Sequence, residues 1–68
     1  MDKNLKLQNH LKEIRTSRNL SQEGLAALVG TTRQTIISIE KQVFNPTAKL
    51  ALLLCVALDC KFEDLFFF

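Results

Sequence analysis

The apolar positions of this chain fall into short stripes at helical spacing, each closed by a polar or glycine-bearing joint. Leu7, Leu11, Ile14 and Arg18 recur at intervals of four, three and four, which places them on one face of a first helix that stops at Asn19. Ser21 offers an N-cap, and Leu25, Leu28 and Val29 supply the inner stripe of a short second helix. Gly30 ends it, because glycine takes the left-handed conformation of a sharp turn without penalty. Thr32 is positioned to cap a third helix running to about Glu40, with Ile36 and Ile39 inward. Arg33, Gln34, Thr35, Ile37 and Ser38 are then free to face outward as a hydrogen-bonding surface of the kind that reads base edges.

Asn45, Pro46 and Thr47 predict a turn followed by a cap, since proline pushes the residue before it to an extended conformation and threonine can start a helix. A fourth helix follows from Ala48 to Leu58, with Leu50, Leu53, Leu54, Ala57 and Leu58 expected on one face. Leu52 and Val56 lie off that face, so this helix is apolar nearly all round and needs cover on more than one side. A fifth helix of about one turn is expected from Phe62 to Phe66, with Glu63 and Asp64 near its N-terminus, where the helix dipole favours them. The opening, Met1 to Lys6, has only Leu5 as an anchor and is expected to be loose. Repeats and linkers are absent from the pattern, so one all-α domain is expected over residues 1–68.

Composition narrows the class without naming a function. A chain of 68 residues supports one small domain, burying only ~60% of the surface its unfolded form exposes. A hydrophobic content of 47% excludes a disordered tail. The net charge of +2 is only a weak lean toward polyanions. Leu50 to Leu58, nine residues, is about half the length of a membrane-spanning helix, and with no apolar leader after Met1 a cytoplasmic protein is expected.

Cys55 and Cys60 are the only cysteines, and no second pair or histidine set completes a zinc site. They are expected as small buried thiols in a reducing compartment, with no metal and no cofactor. His10 is expected as an exposed residue at a helix start. Paired carboxylates, a nucleophile with its base, and a phosphate loop are all missing from the sequence, so enzymatic activity is not expected.

Two short helices joined by a glycine-bearing turn, the second polar outside, is the layout of a helix-turn-helix. The residues make it more specific: Leu20-Ser21-Gln22-Glu23, Leu25-Ala26, Val29 to Ile36, Ile39-Glu40 and Asn45-Pro46-Thr47 resemble the lambda Cro and phage-repressor family, often called the XRE family. The resemblance spans residues 11–66. It implies a five-helix lambda-repressor-like domain whose third helix enters the major groove of double-stranded DNA. Carried over position by position, it implies that Gln22 binds a phosphate through its side chain and its helix N-terminus. It likewise implies that Arg33, Gln34, Thr35 and Ser38 touch base edges, with Thr32 counted in the DNA-contacting set, and Lys41 and Asn45 are expected as further phosphate anchors. The chemistry agrees, since arginine pairs bidentately with guanine and glutamine with adenine, each giving ~1–3 kcal/mol of discrimination. It further implies a partly buried ion pair between Arg15 and Glu40.

Three departures from the family pattern matter. Lys41-Gln42 stands where Asn-Gly is common, so a left-handed turn residue has to be non-glycine. Gly24 removes the acidic partner of a capping box with Ser21. Leu53 and Val56 occupy positions that are often polar. With Cys60 they recur at three and four, and together with Phe66, Phe67 and Phe68 they are expected to form a homodimer interface in which the 63–68 tail takes part. Two readings stay open: a sequence-specific regulator, usually a repressor, acting as a homodimer on a near-palindromic operator; or a protein-interaction module, such as an antitoxin subunit or bridging factor, whose fourth helix and tail engage a heterologous protein.

Overall fold

In the computed structural model, which describes residues 5–68, the order of elements is β1 (Gln8–Asn9), α1 (Leu11–Ser17), α2 (Gln22–Val29), α3 (Arg33–Glu40), α4 (Ala48–Leu58), α5 (Phe62–Leu65) and β2 (Phe66–Phe67). The five-helix class holds, with one addition: β1 and β2 pair antiparallel, Gln8 opposite Phe67 and Asn9 opposite Phe66. Of the expected loose opening, only Leu5 and Lys6 belong to the described residues, and neither is in a helix or strand.

The helix starts follow the side chains that cap them. The Ser21 hydroxyl accepts from the Gly24 N–H, Thr32 from the Thr35 N–H and Thr47 from the Leu50 N–H, at 2.9, 3.2 and 3.2 Å. Each satisfies one of the backbone donors a helix leaves free at its first turn. The first helix differs from expectation, starting at Leu11 rather than Leu7. The Asn9 carboxamide accepts from the Leu11 N–H at 3.0 Å, and the His10 N–H donates to the Leu65 carbonyl at 2.9 Å. The backbone before Leu11 is thus engaged by the C-terminal tail and cannot continue the helix. Leu7 still packs against the core, but from an extended segment.

The ends of α1, α2, α3 and α4 share one device. Asn19, Gly30, Gln42 and Asp59 all have positive φ, at 58°, 73°, 61° and 51°. At each, the next residue's N–H reaches back to a carbonyl five residues earlier: Leu20 to Arg15, Thr31 to Ala26, Val43 to Ser38 and Cys60 to Cys55. This is the Schellman closure, which pairs carbonyls a helix leaves open at its C-terminus. Arg18, expected on the inner stripe of α1, instead donates from Nε to the Leu58 carbonyl at 2.8 Å. It thereby brings a cation to the negative end of α4.

Leu11, Leu25, Ile36, Ile39, Leu54, Leu58 and Leu65 are fully buried and form the centre of one core. The inner face of α4 is Ala51, Leu54, Cys55 and Leu58, which corrects the expected set. Leu53 is exposed, and Leu50 and Ala57 sit at the margin. A helix apolar on every side offers several faces that satisfy the same burial, and the core took the one with small residues where α4 meets its neighbours.

Because Gln42 holds a left-handed conformation that costs a side-chain-bearing residue free energy, Gln42→Gly should stabilise the domain by about 0.5–1 kcal/mol. Denaturant unfolding of the two proteins checks this, with a rise in midpoint at unchanged slope expected.

Candidate nucleic-acid interface

The polar side of α3 is built from the cap outward. With Ile36 and Ile39 fully buried, the helical period turns Gln34, Ser38 and Lys41 to the opposite side. Arg33, Gln34 and Lys41 are exposed, while Thr35, Ile37 and Ser38 are half-buried. The Thr32 and Thr35 hydroxyls lie 3.0 Å apart, and the Gln34 amide donates to the Ser38 hydroxyl at 3.4 Å. These are local, solvent-exposed bonds that a base edge can replace at little cost. Asn45 is exposed in the connection to α4.

What holds α3 in place lies behind it. Arg15 Nε donates to Glu40 Oε2 at 2.7 Å, with side-chain exposures of only 9% and 6%. Arg15 Nη1 donates to the Leu20 carbonyl at 2.8 Å, and Gln22 Nε2 donates to Glu40 Oε1 at 3.1 Å. Asn9 Nδ2 adds a bond to the Ile39 carbonyl at 3.0 Å. The last turn of α3 is therefore fixed from β1, α1 and the start of α2 at once. No buried side-chain nitrogen or oxygen among the described residues is left unpartnered. The bond to Glu40 uses one N–H of the Gln22 amide. The N-terminus of α2 carries first-turn backbone N–H groups with no partner inside the helix, which favour an anion.

The expected dimer surface is partly redrawn. Phe66 is 3% exposed and belongs to the monomer core, its ring centroid 5.3 Å from that of Phe62. Phe67 is half-buried and stacks on His10 with centroids 4.4 Å apart. His10 is the exposed residue before α1, as expected. Cys60 is half-buried against the core, Cys55 is buried, and burial is the main cause that pushes both thiols above the usual range. What stays exposed is Leu52, Leu53 and Val56 on α4, with Phe62 and Phe68. Val56 is 78% exposed, the most of any large apolar side chain described. Leu52 and Val56 border an open groove of about 880 Å³ whose other walls are Cys55, Asp59, Cys60, Lys61 and Asp64. The sequence does not single out Leu52 or Phe62; the exposure of Leu52 follows from which face of α4 entered the core, and Phe62 is exposed at the start of α5.

Phe44 was missed as well. It is 44% exposed in the α3–α4 connection and stands beside Thr32, Gln34, Thr35 and Ser38. Its sequence signal, a bulky apolar residue two positions before Pro46, reads equally well as core cover.

The comparisons with known proteins agree with this geometry. The profile of the helix-turn-helix family HTH_3 matches residues 11–65. An uncharacterized HTH-type transcriptional regulator of Bacillus subtilis, YgzD, is 45% identical over 88% of this chain and 91% of its own. Another from Methanocaldococcus jannaschii is 44% identical over 91% of this chain and 94% of its own. Among solved structures, the restriction-modification controller protein C.AhdI from Aeromonas hydrophila superposes with a TM-score of 0.75 at 37% identity, covering 79% of this chain and 82% of that one.

Since Glu40 is nearly buried between Arg15 and Gln22, Glu40→Ala should strand the Arg15 charge and destabilise the domain by about 3–5 kcal/mol. The check is a thermal or urea melt, in which the double variant Arg15→Met/Glu40→Leu should recover much of the loss.

Proposed function

The chain belongs to the HTH_3 helix-turn-helix family and is a DNA-binding transcriptional regulator, and from that premise we propose that it acts as a homodimeric repressor whose α3 reads bases in the major groove of a near-palindromic operator. The observation that carries the base-reading part is the outer side of α3, where exposed Arg33 and Gln34 stand with Thr35 and Ser38 on a helix locked from behind by a buried ion pair. Arg33 pairs with guanine O6 and N7, and Gln34 with adenine N6 and N7. Gln22, Lys41 and Asn45 anchor phosphates on either side, and Thr32 lies at the helix start among them. A protein that only occupies its operator needs no catalytic group, and the non-enzymatic, cytoplasmic reading goes with this role.

The homodimer rests on Leu52, Leu53 and Val56, an apolar surface that a monomer rarely leaves open to water. A two-fold axis through α4 would set two copies of α3 against successive major grooves about 34 Å apart, which is what makes the operator near-palindromic. Phe62 and Phe68 are also exposed, whereas Phe66 lies in the monomer core and Phe67 stacks on His10. The antitoxin-like or bridging reading would put a different protein on the same patch, and nothing in the relatives' names favours it.

Selection from random duplex DNA supplies the operator, and fluorescence anisotropy on single-base variants then tests the assignment. Arg33→Ala should lose preference at one base pair per half-site, while Lys41→Ala should weaken binding about equally on all sequences and lower its salt dependence. Light scattering should give a dimer mass for the parent and a monomer mass for Val56→Lys, with weaker operator binding by the monomer. A parent that stays monomeric at high micromolar concentration contradicts the homodimer and favours a heterologous partner.

A further inference from the structure

Phe44 occupies a place that neither the core nor the polar contacts of α3 explain. The left-handed Gln42 closes α3 with the Gln42 N–H on the Ile39 carbonyl at 2.9 Å and the Val43 N–H on the Ser38 carbonyl at 3.0 Å. This closure folds the chain back against the helix it has just left. Phe44, the residue after it, forms one wall of an open concavity of about 240 Å³ whose other walls are Thr32, Gln34, Thr35 and Ser38. Phe44 is 44% exposed, so an apolar surface stands beside the hydrogen-bonding side chains rather than beneath them. The space is smaller and more open than a site for a metabolite-sized ligand. It is continuous with the side of α3 assigned to base reading.

One apolar group presents itself in the major groove of a DNA duplex: the C5 methyl of thymine. Gln34 and Ser38 offer donors and acceptors to the polar atoms of a base pair, and neither distinguishes that methyl. An aromatic ring at the flank of the helix does so by removing it from water. We propose that Phe44 is a specificity-determining residue that receives the C5 methyl of one thymine per half-site, with the Thr35 side chain as the opposite wall. The inference rests on the reading of α3 as the major-groove element and adds to it the base chemistry that the loop selects.

The test uses the full chain and its selected duplex, with each thymine replaced in turn by deoxyuridine, which lacks only the methyl group. The parent protein should lose about three- to fivefold in affinity at one thymine per half-site, the scale of one buried methyl. Phe44→Ala should bind the thymine duplex more weakly and show no further loss with deoxyuridine there. Phe44→Leu, which keeps an apolar wall, should retain most of the deoxyuridine effect. Tight duplex binding with no deoxyuridine effect at any position overturns the proposal while leaving α3 as the reader intact, and so does a full effect that survives in Phe44→Ala. A parent that binds no duplex at all overturns the underlying reading and this inference with it.

Discussion

A single buried ion pair sets the position of the helix on which everything else depends. Arg15 and Glu40 meet at 2.7 Å with almost no contact with solvent. Taking two charges out of water is costly, and the attraction between them offsets that cost only when their remaining donors and acceptors are also satisfied. Here they are: Arg15 spends a further N–H on the Leu20 carbonyl, and Glu40 accepts a second bond from Gln22. A hydrophobic pair of similar shape could hold the helices together as strongly. What the ion pair adds is register, because α3 cannot slide or rotate on α1 without leaving a charge unpaired in the interior. The outer side chains of α3 are therefore presented in one orientation before any ligand arrives, and less ordering remains to be done on binding.

The same logic makes the helix termini informative. Ser21, Thr32 and Thr47 each sit directly before the helix they cap, and their hydroxyls accept the N–H three residues on. That offset can be read from sequence, and with Gly30 it fixed the boundaries of α2, α3 and α4 closely. Asn19 was readable as a stop for the same conformational reason. Gln42 was readable only because the turn demanded a left-handed residue where no glycine was available. Asp59 was not readable, since a polar residue after an apolar run signals no particular φ.

Other features escaped the sequence for physical reasons. Two-residue strands have no periodicity, so β1 and β2 left no pattern, and Leu7 at helical distance from Leu11 pointed the wrong way. Phe66 and Phe68 are identical in composition and differ only in the strand pairing that turns one into the core. On α4, Leu50, Ala51, Leu53 and Cys55 are all acceptable to a core, and only the packing of neighbouring elements selects among them. The polar side of α3 was more legible because its residues have no alternative but the outside. Phe44 was less so because an apolar side chain in a connection carries no sign of which surface it joins.

The net charge of +2 is too small to direct DNA to one face by itself, since Lys6, Lys12, Lys49 and Lys61 are exposed away from α3, so it is the placement of particular cations that matters. Arg33 and Lys41 lie at the two ends of α3, whereas Arg15 and Arg18 are spent on Glu40 and on the C-terminus of α4. The central claim is that duplex DNA contacts the outer side of α3 and the segments flanking it, while the outer face of α4 remains free of DNA. An NMR titration of the isotopically labelled protein with its selected duplex tests this most directly. Shifts concentrated at Gln22, from Thr32 to Ser38 and from Lys41 to Asn45, with Leu52, Val56 and the β1–β2 ribbon little changed, are the predicted result. Shifts centred on Leu52 and Val56, with α3 silent, would contradict it.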